Sequence, residues 1–325
     1  MSDASLGATG APAPIVRLFG WCMLGVLAAY VIENVFVVWL DMVGARTVLS
    51  GGGGWPMAAL YLVGLLAGAA MSLGRPGAAL RADAARITGF NAYIVRSLFW
   101  AVVLVGVVDT AISFLRAENL LIDFFSAETA QQFNFSRFVA PNFHAPLIVA
   151  GFVIGAFTRS IGVMWLALLI VAAELLIVIS RFVFSYEQAL MSDLVRYWYA
   201  ALFLFASAYT LYEEGHVRVD VLYSTFTSRS KGRSNAIGAV LFGMTTCWTI
   251  IVIGFASKNS IVNGPVLSYE VSQTGVTGMY VKYQMAAFLG VFAIIMLIQF
   301  VAQFFESVAD LRDEPGRREL EPVGH

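Results

Sequence analysis

Charge is what this sequence has least of. Asp, Glu, Lys and Arg make up 13% of its 325 residues, about half of the roughly 25% usual in soluble domains. That shortage excludes an ordinary water-soluble domain, since the 59% of residues that are apolar cannot all be hidden in one core. Basic charge is not in excess either. The formal net charge is −1 and the pI about 6.3, which excludes a nucleic-acid-binding surface. The two cysteines, Cys22 and Cys247, lie far apart inside apolar blocks. They read as small buried hydrophobes and build neither a disulfide framework nor a thiolate metal site. Three histidines, His144, His216 and His325, are too few for a bundle of paired haem ligands. No cofactor and no metal are expected.

What the sequence does have is long apolar blocks, with a mean hydropathy of +0.78. Blocks of that kind point to lipid as the solvent. We expect an all-α integral membrane protein of about eight transmembrane helices, over 16–40, 56–73, 93–115, 144–158, 161–183, 194–212, 235–256 and 280–304. The fourth is short for a bilayer crossing. The first is too long for a cleaved signal peptide and lacks a small-x-small cleavage site. The glycine run 51–54 precedes Trp55-Pro56 rather than Lys-Ser/Thr, so it reads as a turn beside an interfacial tryptophan, not a phosphate loop. With the N-terminus inside, 13 of the 20 basic residues fall in inner segments and 7 in outer ones. The positive-inside rule then puts both termini in the cytoplasm.

Ionisable residues inside spans are the strongest functional pointers in such a chain, because each is expensive unless paired or hydrated. Asp109 sits deep in the third span, in VVLVGVVDTAISFL, and Glu174 near the middle of the fifth, in LLIVAAELLIVISRF. Arg181 follows Glu174 by two helical turns and faces the same way. Two readings stand side by side: these acids satisfy hydrogen bonds between packed helices, or they form a proton or substrate relay. A relay needs a chain of such groups and a polar path, often through broken helices, and the packing reading is preferred.

The stretch EEGHVRVDVLY at 213–223 follows the sixth span and reads as a short interfacial helix, with His216 and Asp220 one turn apart. One His and one Asp are too few for a metal site. Ser180–Ser185 (SRFVFS), Tyr186–Gln188 (YEQ), Trp198 and Gly215–Asp220 (GHVRVD) together resemble the DctQ-type small membrane subunit of the tripartite ATP-independent periplasmic (TRAP) transporters. The resemblance covers about 145–310. It implies an accessory role beside a large multi-span subunit, which carries the substrate and cation sites, with a periplasmic binding protein delivering the solute. It also implies gradient-driven uptake of carboxylate-bearing solutes, a bacterial inner membrane location and no enzymatic activity.

We therefore expect an N-terminal extension over 1–144 with three transmembrane helices and a long outer loop. A small-permease unit of four to five helices over 145–310 follows, then a cytoplasmic tail over 311–325. Partner-interface candidates are Glu174, Arg181, Tyr186, Glu187, Trp198, His216, Arg218 and Asp220, and Asp109 is the intramembrane charge candidate. Membrane lipid is the other expected partner. The competing classes are a self-sufficient carrier or channel using Asp109 and Glu174, and a membrane enzyme or electron-transfer subunit, whose ligands this sequence does not supply.

Overall fold

Pro14 opens the first helix at a position where its missing N–H leaves no hydrogen bond unmade, and Pro56 stands in the same relation to the second. The computed structural model describes residues 12–160, 162–213, 223–272 and 277–317. Its helices are α1 (Pro14–Trp39), α2 (Trp55–Leu73), α3 (Leu80–Ala117), α4 (Leu121–Phe124), α5 (Ala127–Gln132), α6 (Ser136–Val139), α7 (Ala145–Phe157) and α8 (Val163–Phe184). They continue as α9 (Ala189–Tyr212), α10 (Ser228–Gly238), α11 (Thr245–Gly254), α12 (Asn263–Ser268) and α13 (Lys282–Leu311). Among the described residues there is no strand.

Eight of these runs are long and apolar enough to cross a membrane: α1, α2, α3, Ser136–Phe157, α8, α9, Ser228–Gly254 and α13. Among the described residues the protein is all-α, with eight helices able to span a membrane. The fourth is longer than the 13-residue apolar core Ala145–Phe157, because a π-turn over Ala140–His144 joins α6 to α7 without a break. There the N–H of Ala145 bonds the Ala140 carbonyl, five residues back. A second π-turn, Ala239–Met244, joins α10 to α11. Single π-turns widen a helix where packing or function requires it.

The chain forms two compact units, each assembled from separated stretches. The first comprises residues 1–91, 208–252 and 296–325. Here α1 and α2 run antiparallel, with Gly25 against Gly64 and Gly68 against Trp21 and Cys22. A Cβ on Gly25 would overlap the Gly64 carbonyl, so the backbones touch, as small residues allow in membrane helices. Phe19 packs edge-on to Phe304 at 5.4 Å. Arg17, buried at 1% exposure, pairs with Asp83 at 2.7 Å and donates to the carbonyls of Ser72 and Arg75. Arg81 reaches Glu306 and Asp310, one helical turn apart on α13.

The second unit comprises residues 92–207 and 253–295. Gly151 and Gly155 lie against Ala101 and Ser97 of α3. Phe99 meets Phe205 edge-on at 6.0 Å, and Phe205 meets Phe288 at 4.9 Å. This unit holds Asp109 and Glu174.

Candidate functional site: a buried carboxylate network and an exposed glutamate

Asp109 lies on α3 with no solvent exposure. A buried carboxylate must find donors, and it finds two. One oxygen meets His144 Nε2 at 3.1 Å, and the other accepts the backbone N–H of Tyr280 at 2.8 Å. His144, at the end of the π-turn, is itself fully buried, and its Nδ1 lies 2.9 Å from the Tyr283 hydroxyl. Gln284 Nε2 donates to that hydroxyl at 3.0 Å, and the Tyr197 hydroxyl donates to Gln284 Oε1.

The two imidazole nitrogens are thus held between the Tyr283 hydroxyl and the Asp109 carboxylate. Asp109, His144, Tyr283, Gln284 and Tyr197 form one continuous row of hydrogen bonds. Its members are all buried, with exposures from 0 to 8%.

The same carboxylate anchors the segment that leads into α13, and other groups share the task. Asp193 on α9 accepts the N–H of Met279 at 3.1 Å. Arg116, two turns beyond Asp109, donates to the Gly278 carbonyl, to the Phe133 carbonyl at 3.1 Å and to Ser113 Oγ at 3.1 Å. Its guanidinium stands 3.8 Å over the Tyr280 ring. Burial pushes the Tyr280 phenol up from its ordinary range against the pull of Arg116, with Asp109 adding to the rise. The phenol therefore stays protonated at neutral pH and donates to the Asn134 carbonyl at 2.7 Å. Residues 278–280 are thus gripped from α3, from α9 and from the connector after α5.

Glu174 is placed differently. It is exposed at the midpoint of α8, and no described residue pairs with its carboxylate. The helix buries only Leu166 and Ile170, while Trp165, Leu168, Val171, Leu175, Leu176, Val178, Phe182 and Val183 point outward. Arg181 is exposed on the same side and forms a loose 3.5 Å pair with exposed Glu187, an arrangement worth at most about 1 kcal/mol. Asp109 and Glu174 therefore share no partner and form no row.

Tyr186 donates to Glu118 at 2.6 Å and Gln188 donates to the same carboxylate at 3.2 Å, fixing the α8–α9 turn. Trp198 is spoken for within the chain: it is 4% exposed, its indole N–H donates to the Val102 carbonyl at 3.2 Å, and Gly106 leaves room for its ring. His216, Arg218 and Asp220 lie outside the described residues. Among the described residues no three His, Cys, Asp or Glu side chains gather closely enough to hold a metal ion. Sequence reasoning missed His144, Asp193, Tyr197, Tyr283 and Gln284. The available signal was a lone histidine between two prolines, at 141 and 146, in an otherwise apolar run.

These observations define a polytopic α-helical membrane protein whose buried charges bond to its own backbone and side chains. Residues 167–310 match the family model of the tripartite ATP-independent periplasmic transporters, DctQ component. That segment is similar to the DctQ component, and helices long and apolar enough to cross a membrane precede it in this chain. Comparison with curated proteins returns no match, and comparison with solved structures returns none.

Proposed function

We propose that this chain is the small permease subunit of a TRAP-type secondary transporter in a bacterial inner membrane. It scaffolds a large transport subunit for gradient-driven uptake of organic acids or related solutes, delivered by a periplasmic binding protein. The family match over 167–310 carries this reading, and the use made of Asp109 supports it. A carrier needs an ionisable group that substrate or ion can reach. Here the buried acid is fully engaged in fixing the entry to α13.

On this reading both termini are cytoplasmic, and the network around Asp109 stands toward the periplasmic side. Glu174, Arg181, Tyr186, Glu187, His216, Arg218 and Asp220 are the residues we assign to partner contact. The N-terminal extension over 1–144, the small-permease unit over 145–310 and the tail over 311–325 remain our division of roles, although each compact unit draws on residues from both sides of position 144.

Reconstitution tests the proposal. In liposomes the chain alone should move no solute under a sodium or proton gradient. Adding the large subunit and a ligand-loaded binding protein should produce uptake. Robust uptake by the chain alone would instead establish the carrier reading.

A further inference from the structure

We infer that the outward face of α8 around Glu174 docks a transmembrane helix of the large transport subunit, and that this helix presents a Lys or Arg at mid-membrane depth. The inference rests on the small-subunit reading above and adds the surface and the charge that recognise the partner.

Three observations on α8 carry it. The helix is 22 residues long, with Glu174 twelfth, so the carboxylate stands near the middle of the hydrocarbon. Too far from either end to reach a headgroup easily, it lacks a partner within the described chain. Its neighbours one turn to either side, Val171 and Val178, are 62% and 50% exposed. The remaining surface is the smooth apolar kind against which a second helix packs. The family match begins at 167, on this helix, so the face belongs to the DctQ-type unit.

Lipid is a poor occupant for this face. A helix selected to face hydrocarbon would carry Leu or Val at 174, as it does at most neighbouring outward positions. A second copy of the chain is poor as well. Two copies inserted in the same orientation and packed on α8 would bring Glu174 to the depth of its own counterpart, and like charges in a low dielectric repel strongly. A cation on a different polypeptide removes both objections. In an apolar setting its pairing with a carboxylate is a strong, geometry-demanding contact.

The test uses the full chain co-expressed with the large subunit. A photo-crosslinking amino acid is placed at Val171, Val178 and, further round the helix, Leu175, and the complex is recovered through a tag on this chain. We expect adducts at 171 and 178 that map to one membrane segment of the large subunit containing a Lys or Arg. Glu174→Lys should lower recovery of the large subunit at least about tenfold, and Glu174→Leu should do so as well. The Leu variant gives the opposite result if the face meets lipid: the chain should then accumulate as well or better, with the complex unchanged. Exchanging the partner's cation for Glu should restore recovery of Glu174→Lys. Adducts confined to lipid, adducts between two copies of this chain, or an unchanged complex in Glu174→Lys and Glu174→Leu would each overturn the inference while leaving the small-subunit reading intact. Failure of the unsubstituted chain to recover any large subunit would overturn the small-subunit reading itself.

Discussion

The carboxylate of Asp109 accepts the backbone N–H of Tyr280 at 2.8 Å, across 171 residues of chain. Asp109 lies ahead of the segment that matches the DctQ family, and Tyr280 lies inside it. Helix α3, ahead of the matched segment, therefore shares a buried hydrogen bond with it. Both residues belong to the second compact unit, together with His144, Tyr283 and Gln284.

That relationship sets the first prediction. Asp109→Ala leaves His144 Nε2 without its partner and the Tyr280 N–H without its acceptor in a fully buried setting, a loss of about 3–5 kcal/mol. Asp109→Asn retains one acceptor oxygen but turns an amide toward a donor, so about 1–3 kcal/mol should be lost. His144→Ala combined with Asp109→Ala should cost much less than the sum of the two single changes, because the groups share one network. Thermal unfolding of the detergent-solubilised protein measures all of these. A variant of normal stability that abolishes transport would point to a relay instead.

The second prediction concerns Arg81, which is 12% exposed and joins the start of α3 to Glu306 and Asp310 on α13. Arg81→Ala should cost about 1–2 kcal/mol, discounted because Glu306 is 42% exposed. Arg81→Lys should recover little of it, since an ammonium lacks the planar fork that reaches both acids. Limited proteolysis of the segment after Leu311 gives the readout. Cleavage should be faster in both variants than in the unsubstituted protein.

Eight spans are legible in the sequence because lipid imposes a length and a composition on each one separately. The fourth is only partly legible. Its apolar core is short, and the rest of the crossing comes from the more polar helical stretch 136–144, which lies ahead of the span expected over 144–158. Asp109 is visible as an outlier, but its partners are not: His144 lies 35 residues away and Tyr280 171. A lone histidine, a tyrosine and a backbone amide leave no periodic signal. Trp198 misleads for a related reason. It reads as a partner-contact candidate, and its burial depends on the missing side chain of Gly106 on another helix. Glu174 shows the opposite limit. Its depth is plain from the sequence, but its exposure is not: Glu174 continues the i, i+4 row of buried Leu166 and Ile170, and yet it is exposed.

A third prediction concerns topology, and it rests on 13 of the 20 basic residues falling in the proposed inner segments. Reporter fusions after Gly77 and Thr227 should be active only as cytoplasmic reporters, and fusions after Ser126 and Ser260 only as periplasmic ones. A cytoplasmic signal at Ser126 or Ser260 would reverse the orientation.

The fourth prediction addresses Arg218 and Asp220, which we assign to a cytoplasmic clasp with His216. If the clasp lies in a subunit interface, Arg218→Ala and Asp220→Ala should each reduce the recovered large subunit, by about 2–5 kcal/mol in affinity. The double variant should be no worse than either alone. If all three variants assemble and transport normally, the segment is a solvated connector, where such a pair is worth about 0.2–1 kcal/mol.

The last prediction separates the role of the α1–α2 hairpin from that of α3. Gly25 and Gly64 touch backbone to backbone, and a Cβ on either would overlap the other's carbonyl. No rotamer change relieves a clash with main chain, so Gly25→Val must push the helices apart. Small-to-large changes in packed interiors cost about 1–3 kcal/mol. Without a hydrophobic force between helices in lipid, close packing is most of what holds this pair together. The gap should weaken the contact of Glu33 with Tyr61, which lies farther along the same seam and also involves the Ala45 N–H at 2.7 Å. Asp109, His144 and Tyr280 belong to the other compact unit, so their network should survive. Cysteine pairs introduced across the hairpin should therefore crosslink less efficiently in Gly25→Val, while pairs between α3 and the 278–280 segment should be unaffected. If transport by the assembled complex also continues at its normal rate, the hairpin is dispensable to the small-subunit role and α3 is the part of the extension that the DctQ-type unit requires. If transport fails while the α3 pairs still form, the hairpin itself takes part in assembly or transport.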